Sequence, residues 1–231
     1  MSKRSASKKA LVIGATGLVG SHCLRAILDS GLYSEVIVLG RRKAPLVHSR
    51  LKQVVVDFDH LTQALAGIQV DDVFCCLGTT IKKAGSESAF RKVDLEYPLQ
   101  VAKEARTQGA SHFLVVSAIG ADPQSFFFYN RVKGELERAL ERLSFPYLSI
   151  FRPSLLLGER DEARTLESLS GHLLGWASPL MKGPFNRIKP IAAEKVAQAM
   201  LAEATKAASY ARPPGVLIID SAMMQDYEVD A

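Results

Sequence analysis

KALVIGATGLVG, residues 9–20, decides the fold. A short apolar strand, Lys9 to Ile13, breaks at Gly14, and glycines recur at 17 and 20 as a helical pattern begins. Such a strand-to-helix junction is where parallel α/β sheets hold phosphates, on backbone N–H groups at the helix start. Gly14 permits a tight turn, Gly17 lets the backbone approach a pyrophosphate, and Gly20 lets the helix lie close to the strand. Thr16 and Leu18 belong to the same candidate cofactor turn. Three glycines at this spacing arise by chance in roughly one chain in twelve, so their position carries the reading more than their count.

Outward from this turn, runs rich in Val, Ile and Leu alternate with longer helical patterns. Strands are expected near 9–13, 35–39, 52–56, 72–77, 112–117, 147–151 and 215–219. Helices are expected near 18–29, 62–66, 87–108, 128–143, 163–177 and 192–207. The strand segments are almost continuously apolar, as parallel strands covered on both faces must be. The alternation predicts an α/β protein, a doubly wound parallel sheet of the Rossmann type. Residues 1–8 read as a disordered basic tail and 9–231 as one dinucleotide-binding domain. Within it, 158–188 is a glycine- and proline-punctuated apolar stretch that serves either as a substrate lid or as an interface.

The 231 residues are 48% hydrophobic and 23% charged, which excludes disordered and fibrous classes. The net charge is +5, but Lys3, Arg4, Lys8 and Lys9 fall in the first nine residues without an acid, so the excess is no nucleic-acid footprint. No run of 18 apolar residues spans a membrane. Cys23, Cys75 and Cys76 show neither disulfide nor zinc spacing and suit a reducing cytoplasm. No metal site is expected, and His112, at a strand start, reads as structural. The expected protein is cytoplasmic, a monomer or homodimer, whose partner is a small-molecule substrate rather than nucleic acid or membrane.

Ligands of such sheets lie at the carboxyl ends of the strands, so the residues just after each strand are the candidates for chemistry. After the second strand comes Gly40-Arg41-Arg42-Lys43. An acid here would hold the ribose hydroxyls of NAD(H). Two guanidiniums fork onto a 2′-phosphate instead, which favours NADP(H). After the fourth strand, Leu77, Gly78 and Thr79 would run past the riboses. Tyr129-Asn130-Arg131-Val132-Lys133 places a phenol and an ammonium one helical turn apart, on one face. A free phenol keeps its proton to about pH 10, and a nearby lysine cation favours the phenolate.

The motifs ATGLVG, CCLGTTIKKAG, VVSAIGAD, YNRVKGELE and FRPSLLLGER together resemble the atypical or extended branch of the short-chain dehydrogenase/reductase superfamily, over roughly residues 9–220. The resemblance implies a catalytic set of Ser117, Tyr129 and Lys133. Ser117 would hydrogen-bond the substrate oxygen and Lys133 would also hold the nicotinamide ribose. It implies that Asp57 and Phe58 lie beside the adenine, and that Pro153 and Leu155 close over the carboxamide. Val93-Asp94 departs from the pattern of many superfamily members, which carry an asparagine in place of Asp94. Three functions stay open: an NADP(H)-dependent oxidoreductase on a small carbonyl or alcohol, an NADPH-binding regulator with little turnover, and an isomerase or epimerase using the same tyrosine and lysine.

Overall fold

The computed structural model describes residues 8–157 and 189–227. Seven parallel strands form one sheet: β1 (Lys8–Ile13), β2 (Tyr33–Gly40), β3 (Leu51–Val55), β4 (Asp72–Cys75), β5 (His112–Val116), β6 (Tyr147–Arg152) and β9 (Gly215–Asp220). Their order in space is β3-β2-β1-β4-β5-β6-β9. Two short strands, β7 (Leu156–Leu157) and β8 (Ile191–Ala192), pair separately. Because β1 lies between β2 and β4, the chain changes direction across the sheet there, and a crevice opens at the strands' carboxyl ends.

Successive strand residues point to opposite faces. Ala10, Val12, Val36 and Val38 enter one core, packed by α1 (Leu18–Asp29) and α7 (Ala193–Ala208). Leu11, Ile13, Ile37 and Leu39 enter the other, packed by α2 (Leu61–Leu65), α5 (Tyr97–Thr107) and α6 (Phe128–Glu141). All four β1 residues are wholly buried, which explains the unbroken apolar run. Among the described residues no helix is long and apolar enough to cross a membrane.

The expected strands are all present, and the differences lie elsewhere. Lys8, assigned to the tail, opens β1: its ammonium contacts the Asp72 carboxylate at 2.7 Å, and Lys9 pairs with Glu35 at 3.0 Å. One residue of the supposed basic tail, Lys8, therefore helps hold the amino end of the sheet. The helix expected over 87–108 is three pieces: α4 (Glu87–Arg91), a π turn (Lys92–Glu96) and α5. Pro98 has no N–H to give the Asp94 carbonyl, and its ring crowds that carbonyl, so an ordinary turn cannot close there. The Tyr97 N–H reaches back to Lys92 instead. Two short helices were not foreseen: α3 (Ile81–Ala84), capped by the Thr80 hydroxyl, and α8 (Ser221–Gln225), capped by the Asp220 carboxylate. The helix expected at 163–177 and the segment 158–188 lie outside the described residues.

Candidate functional site

Gly14 adopts φ +83°, and a Cβ there would stand 2.5 Å from the Cys76 carbonyl oxygen. The turn after β1 is thus pressed onto the chain leaving β4. A Cβ on Gly20 would meet the Gly14 oxygen at 2.1 Å, so α1 can seat only with glycine there. Gly17 is different. It is exposed, and its added Cβ would touch only Gly14, at 3.2 Å. As the residue before α1 it offers no capping side chain, and the first helical turn carries no acid. The positive end of the helix, with Thr16 and Leu18 half-buried beside it, is left for an anion. Glycine-only packing below and an open N-terminus above fit a dinucleotide pyrophosphate.

Arg41 and Arg42 follow β2 and are exposed; among the described residues neither has an ion-pair partner. Asp57 is exposed and caps the turn after β3 by accepting from the Asp59 N–H at 3.0 Å. The Phe58 ring turns into the core, edge-on to Tyr97 at 5.2 Å, so only its backbone can border an adenine. Lys92 from the π turn pairs with Asp59 at 2.6 Å and ties this wall to the helices beyond.

Tyr129 opens α6 half-buried, its ring 5.5 Å from Phe90. Asn130 locks the preceding loop by donating to the Ile119 and Gly120 carbonyls at 3.1 and 2.7 Å. One turn on, Lys133 is 3% exposed, and its ammonium lies 2.7 Å from Asp94 Oδ1. Asp94 Oδ2 accepts from the Thr79 N–H at 2.9 Å. Gly78 covers the pair: a Cβ there would be 3.5 Å from Asp94 Oδ1 and 3.9 Å from Lys133 Nζ. Leu77, Gly78 and Thr79, Tyr129 and Lys133 are thereby gathered at one place. Burial opposes the charge on Lys133, but Asp94 and, less strongly, Tyr129 overcome it and hold its pKa above the ordinary lysine value. Burial pushes the adjacent Cys75 thiol up to about 12, so it stays neutral.

Ser117 departs from expectation. It is 4% exposed, and its hydroxyl donates to Glu137 Oε1 rather than standing free at the cleft. Glu137 is itself buried and takes Arg152 Nε at 3.1 Å on the same oxygen and a second guanidinium nitrogen on the other. That pairing holds the Arg152 pKa above its usual value. The sequence reading did not assign Glu137 or Arg152. The signal for Glu137 was the Tyr129, Lys133, Glu137 stripe at intervals of four on α6; Arg152, at the end of β6, had none. Pro153 is buried and accepts from the Ile119 N–H at 2.9 Å; Leu155 accepts from Ile191 at 2.9 Å, which aligns the β7–β8 pair beside the loop after β6.

An uncapped phosphate turn, a lysine and tyrosine one turn apart, and a glycine loop between them define the dinucleotide-handling class. A family model described as NAD(P)H-binding matches residues 14–207. Protein HTATIP2 of Rattus norvegicus is 41% identical over 181 residues, covering 74% of this chain and 74% of the relative. Protein FMP52-1, mitochondrial, of Scheffersomyces stipitis is 35% identical over 160 residues, covering 68% and 71%. A short-chain dehydrogenase/reductase family oxidoreductase from Burkholderia thailandensis has a similar structure, with TM-score 0.69 at 20% identity over 95% of this chain and 94% of that one. MoeE5, solved with UDP-glucose and NAD, gives 0.68 at 18% identity over 92% and 76%. The chain belongs to the NAD(P)H-binding family, alongside protein HTATIP2.

Proposed function

We propose that this protein is an NADP(H)-dependent oxidoreductase that interconverts a small carbonyl compound and its alcohol, with Tyr129 exchanging the proton. The observation that carries this reading is the meeting, at one sheet edge, of an open helix N-terminus with a buried lysine one turn from a tyrosine. Gly14, Thr16, Gly17, Leu18 and Gly20 cradle the pyrophosphate. Asp57 borders the adenine, Leu77 to Thr79 line the riboses, and Pro153 and Leu155 flank the carboxamide. A nicotinamide bound there supplies or accepts the hydride. Lys133 holds its ribose and Tyr129 moves a proton at the substrate oxygen. Ser117, committed to Glu137, fixes the end of β5 and is not assigned to the substrate. Free thiols at Cys23, Cys75 and Cys76 support a reducing compartment such as the cytoplasm.

The phosphorylated cofactor is favoured because the turn after β2 offers Arg41 and Arg42 and no acid. Replacing both by alanine weakens NADPH binding by about 2–4 kcal/mol, the worth of two charge-assisted contacts, and NADH binding far less. Calorimetric titration of both cofactors tests this; equal losses, or a wild type that prefers NADH, overturn it. Tyr129→Phe lowers turnover by about 10²–10⁴ in a carbonyl panel followed by NADPH consumption. A second reading has one observation in its favour: the Ser117 hydroxyl points into the fold. Tight NADPH binding with no turnover anywhere in the panel would make the protein a sensor of the reduced cofactor.

A further inference from the structure

We propose that Asp94 sets the charge state of the Tyr129 site: by neutralising Lys133 it keeps Tyr129 a proton donor, which directs the site to carbonyl reduction. The direction of reaction rests on the nicotinamide reading above, whereas the charge claim stands on the protein without cofactor. A buried lysine alone is a strong incentive for a neighbouring phenol to ionise, because the phenolate supplies the missing counter-charge. Here that counter-charge is already present. Asp94 is 1% exposed, lies 2.7 Å from Lys133 Nζ, and is anchored by the Thr79 N–H at 2.9 Å. Neither partner can exchange the other for water. The pair presents little net charge to Tyr129.

Among the described residues the surroundings supply no substitute. Against Tyr129 stands the apolar Phe90 ring from α4. Cys75 on β4 is a neutral thiol. On α6 itself, Glu137 is matched by Arg152 from β6, while Arg131 donates to the Ser125 and Phe126 carbonyls. Asp94 reaches Lys133 from the π turn that Pro98 imposes, so its place is fixed by the backbone and not by a rotamer alone. In the reducing direction the phenolic O–H bond breaks and its proton goes to the substrate oxygen. The carbonyl carbon takes a hydride from a reduced nicotinamide dinucleotide, which is oxidised as the carbonyl becomes an alcohol. The phenolate recovers a proton from water. A site resting as phenolate could not make that donation.

Ultraviolet difference titration of the full chain without cofactor tests the claim, each protein being compared with its own Tyr129→Phe version to isolate one phenol. Asp94→Asn keeps an oxygen for the Thr79 N–H but removes the charge, and the Tyr129 phenolate then forms at least about one pH unit lower than in the wild type. Asp94→Asn with Lys133→Met restores neutrality and returns the transition to within about half a unit of the wild type. The double variant buries no unpaired charge and carries the test should Asp94→Asn alone not fold. An unchanged transition in Asp94→Asn, or a double variant ionising more than about one unit above the wild type, overturns the proposal. NADPH titration of the wild type is read separately: its failure removes the nicotinamide reading and leaves the charge result standing.

Discussion

The two edges of the sheet both carry buried charge, and they use it differently. At the amino edge, Asp72 is wholly buried and takes the Tyr33 hydroxyl at 2.6 Å and the Lys8 ammonium. His112, also wholly buried, meets the Ser149 hydroxyl at 2.8 Å, and Arg212 reaches the same hydroxyl at 3.1 Å. At the carboxyl edge, Lys133 meets Asp94, and Glu137 meets Arg152 and Ser117. Perturbed groups occur at both, so perturbation alone does not mark a site. What separates the edges is open backbone. Beside Lys133 lie the glycine turn and an uncapped helix N-terminus; beside Asp72 and His112 the strands simply begin. The amino edge closes its charges on one another to fix strand starts, and the carboxyl edge keeps donors free for a ligand.

That contrast breaks most visibly in the glycine turn. Gly20→Val drives a branched side chain into the Gly14 carbonyl and costs about 4 kcal/mol or more of apo stability, because backbone on both sides cannot give way. Chemical denaturation measures it; a loss under about 1 kcal/mol would mean that α1 is not seated as described. Glu137→Ala leaves Arg152 without its carboxylate and the Ser117 hydroxyl without an acceptor. The cost is about 3 kcal/mol, at the low end for a broken buried pair because Arg152 can turn toward water. A neutral result would return Ser117 to candidacy as a substrate contact. Gly17→Val is the milder change in packing: its Cβ meets only the Gly14 oxygen, at 3.2 Å, so the apo melting temperature falls much less than for Gly20→Val, while NADPH affinity falls by about a hundredfold, roughly 2.7 kcal/mol. Equal damage to stability and binding would make Gly17 another packing glycine.

Much of this was legible in the chain. Strand positions follow from apolar runs such as Ala10 to Ile13, whose burial on both faces admits no other pattern. Gly14 and Gly20 announced the turn because few residue types satisfy such close approaches. The Ser117–Glu137 bond was not legible in the chain for a physical reason: the hydroxyl direction depends on Glu137, twenty residues later, and on Arg152, on another strand. Asp94 was visible only as an odd residue; its pairing with Lys133 needed the π turn, and the proline that causes it lies four positions further on. Phe58 was expected at the adenine, but its ring is claimed by Tyr97. Lys8 was counted as tail because its partner, Asp72, is remote in sequence. Local pattern determined the backbone, whereas side-chain commitments at the site are long-range and charge-driven.

The smallest effect concerns the amino edge and tests whether its charges are purely structural. Burial first, then Arg212 and Lys8, lower the His112 pKa from 6.5 to about 3, so the folded protein holds a neutral imidazole there. The unfolded chain binds a proton below the ordinary histidine value. Between that value and about 3 the unfolded state therefore carries more protons than the folded one, and acid favours unfolding. This contribution to stability is fully present above pH 6.5 and is lost as the pH falls toward about 3. Its slope is about 1.4 kcal/mol per pH unit, so about 2 kcal/mol disappears between pH 6.5 and 5. His112→Gln keeps a polar group for Ser149 and removes the titration. Denaturant midpoints at the two pH values should converge for the variant relative to the wild type by that amount, with NADPH affinity at pH 7 unaltered. A wild type with no greater acid sensitivity than His112→Gln would show that the imidazole charges without unfolding the edge. A loss of NADPH affinity in the variant would show that the two edges are coupled through β5, contrary to the separation drawn between them.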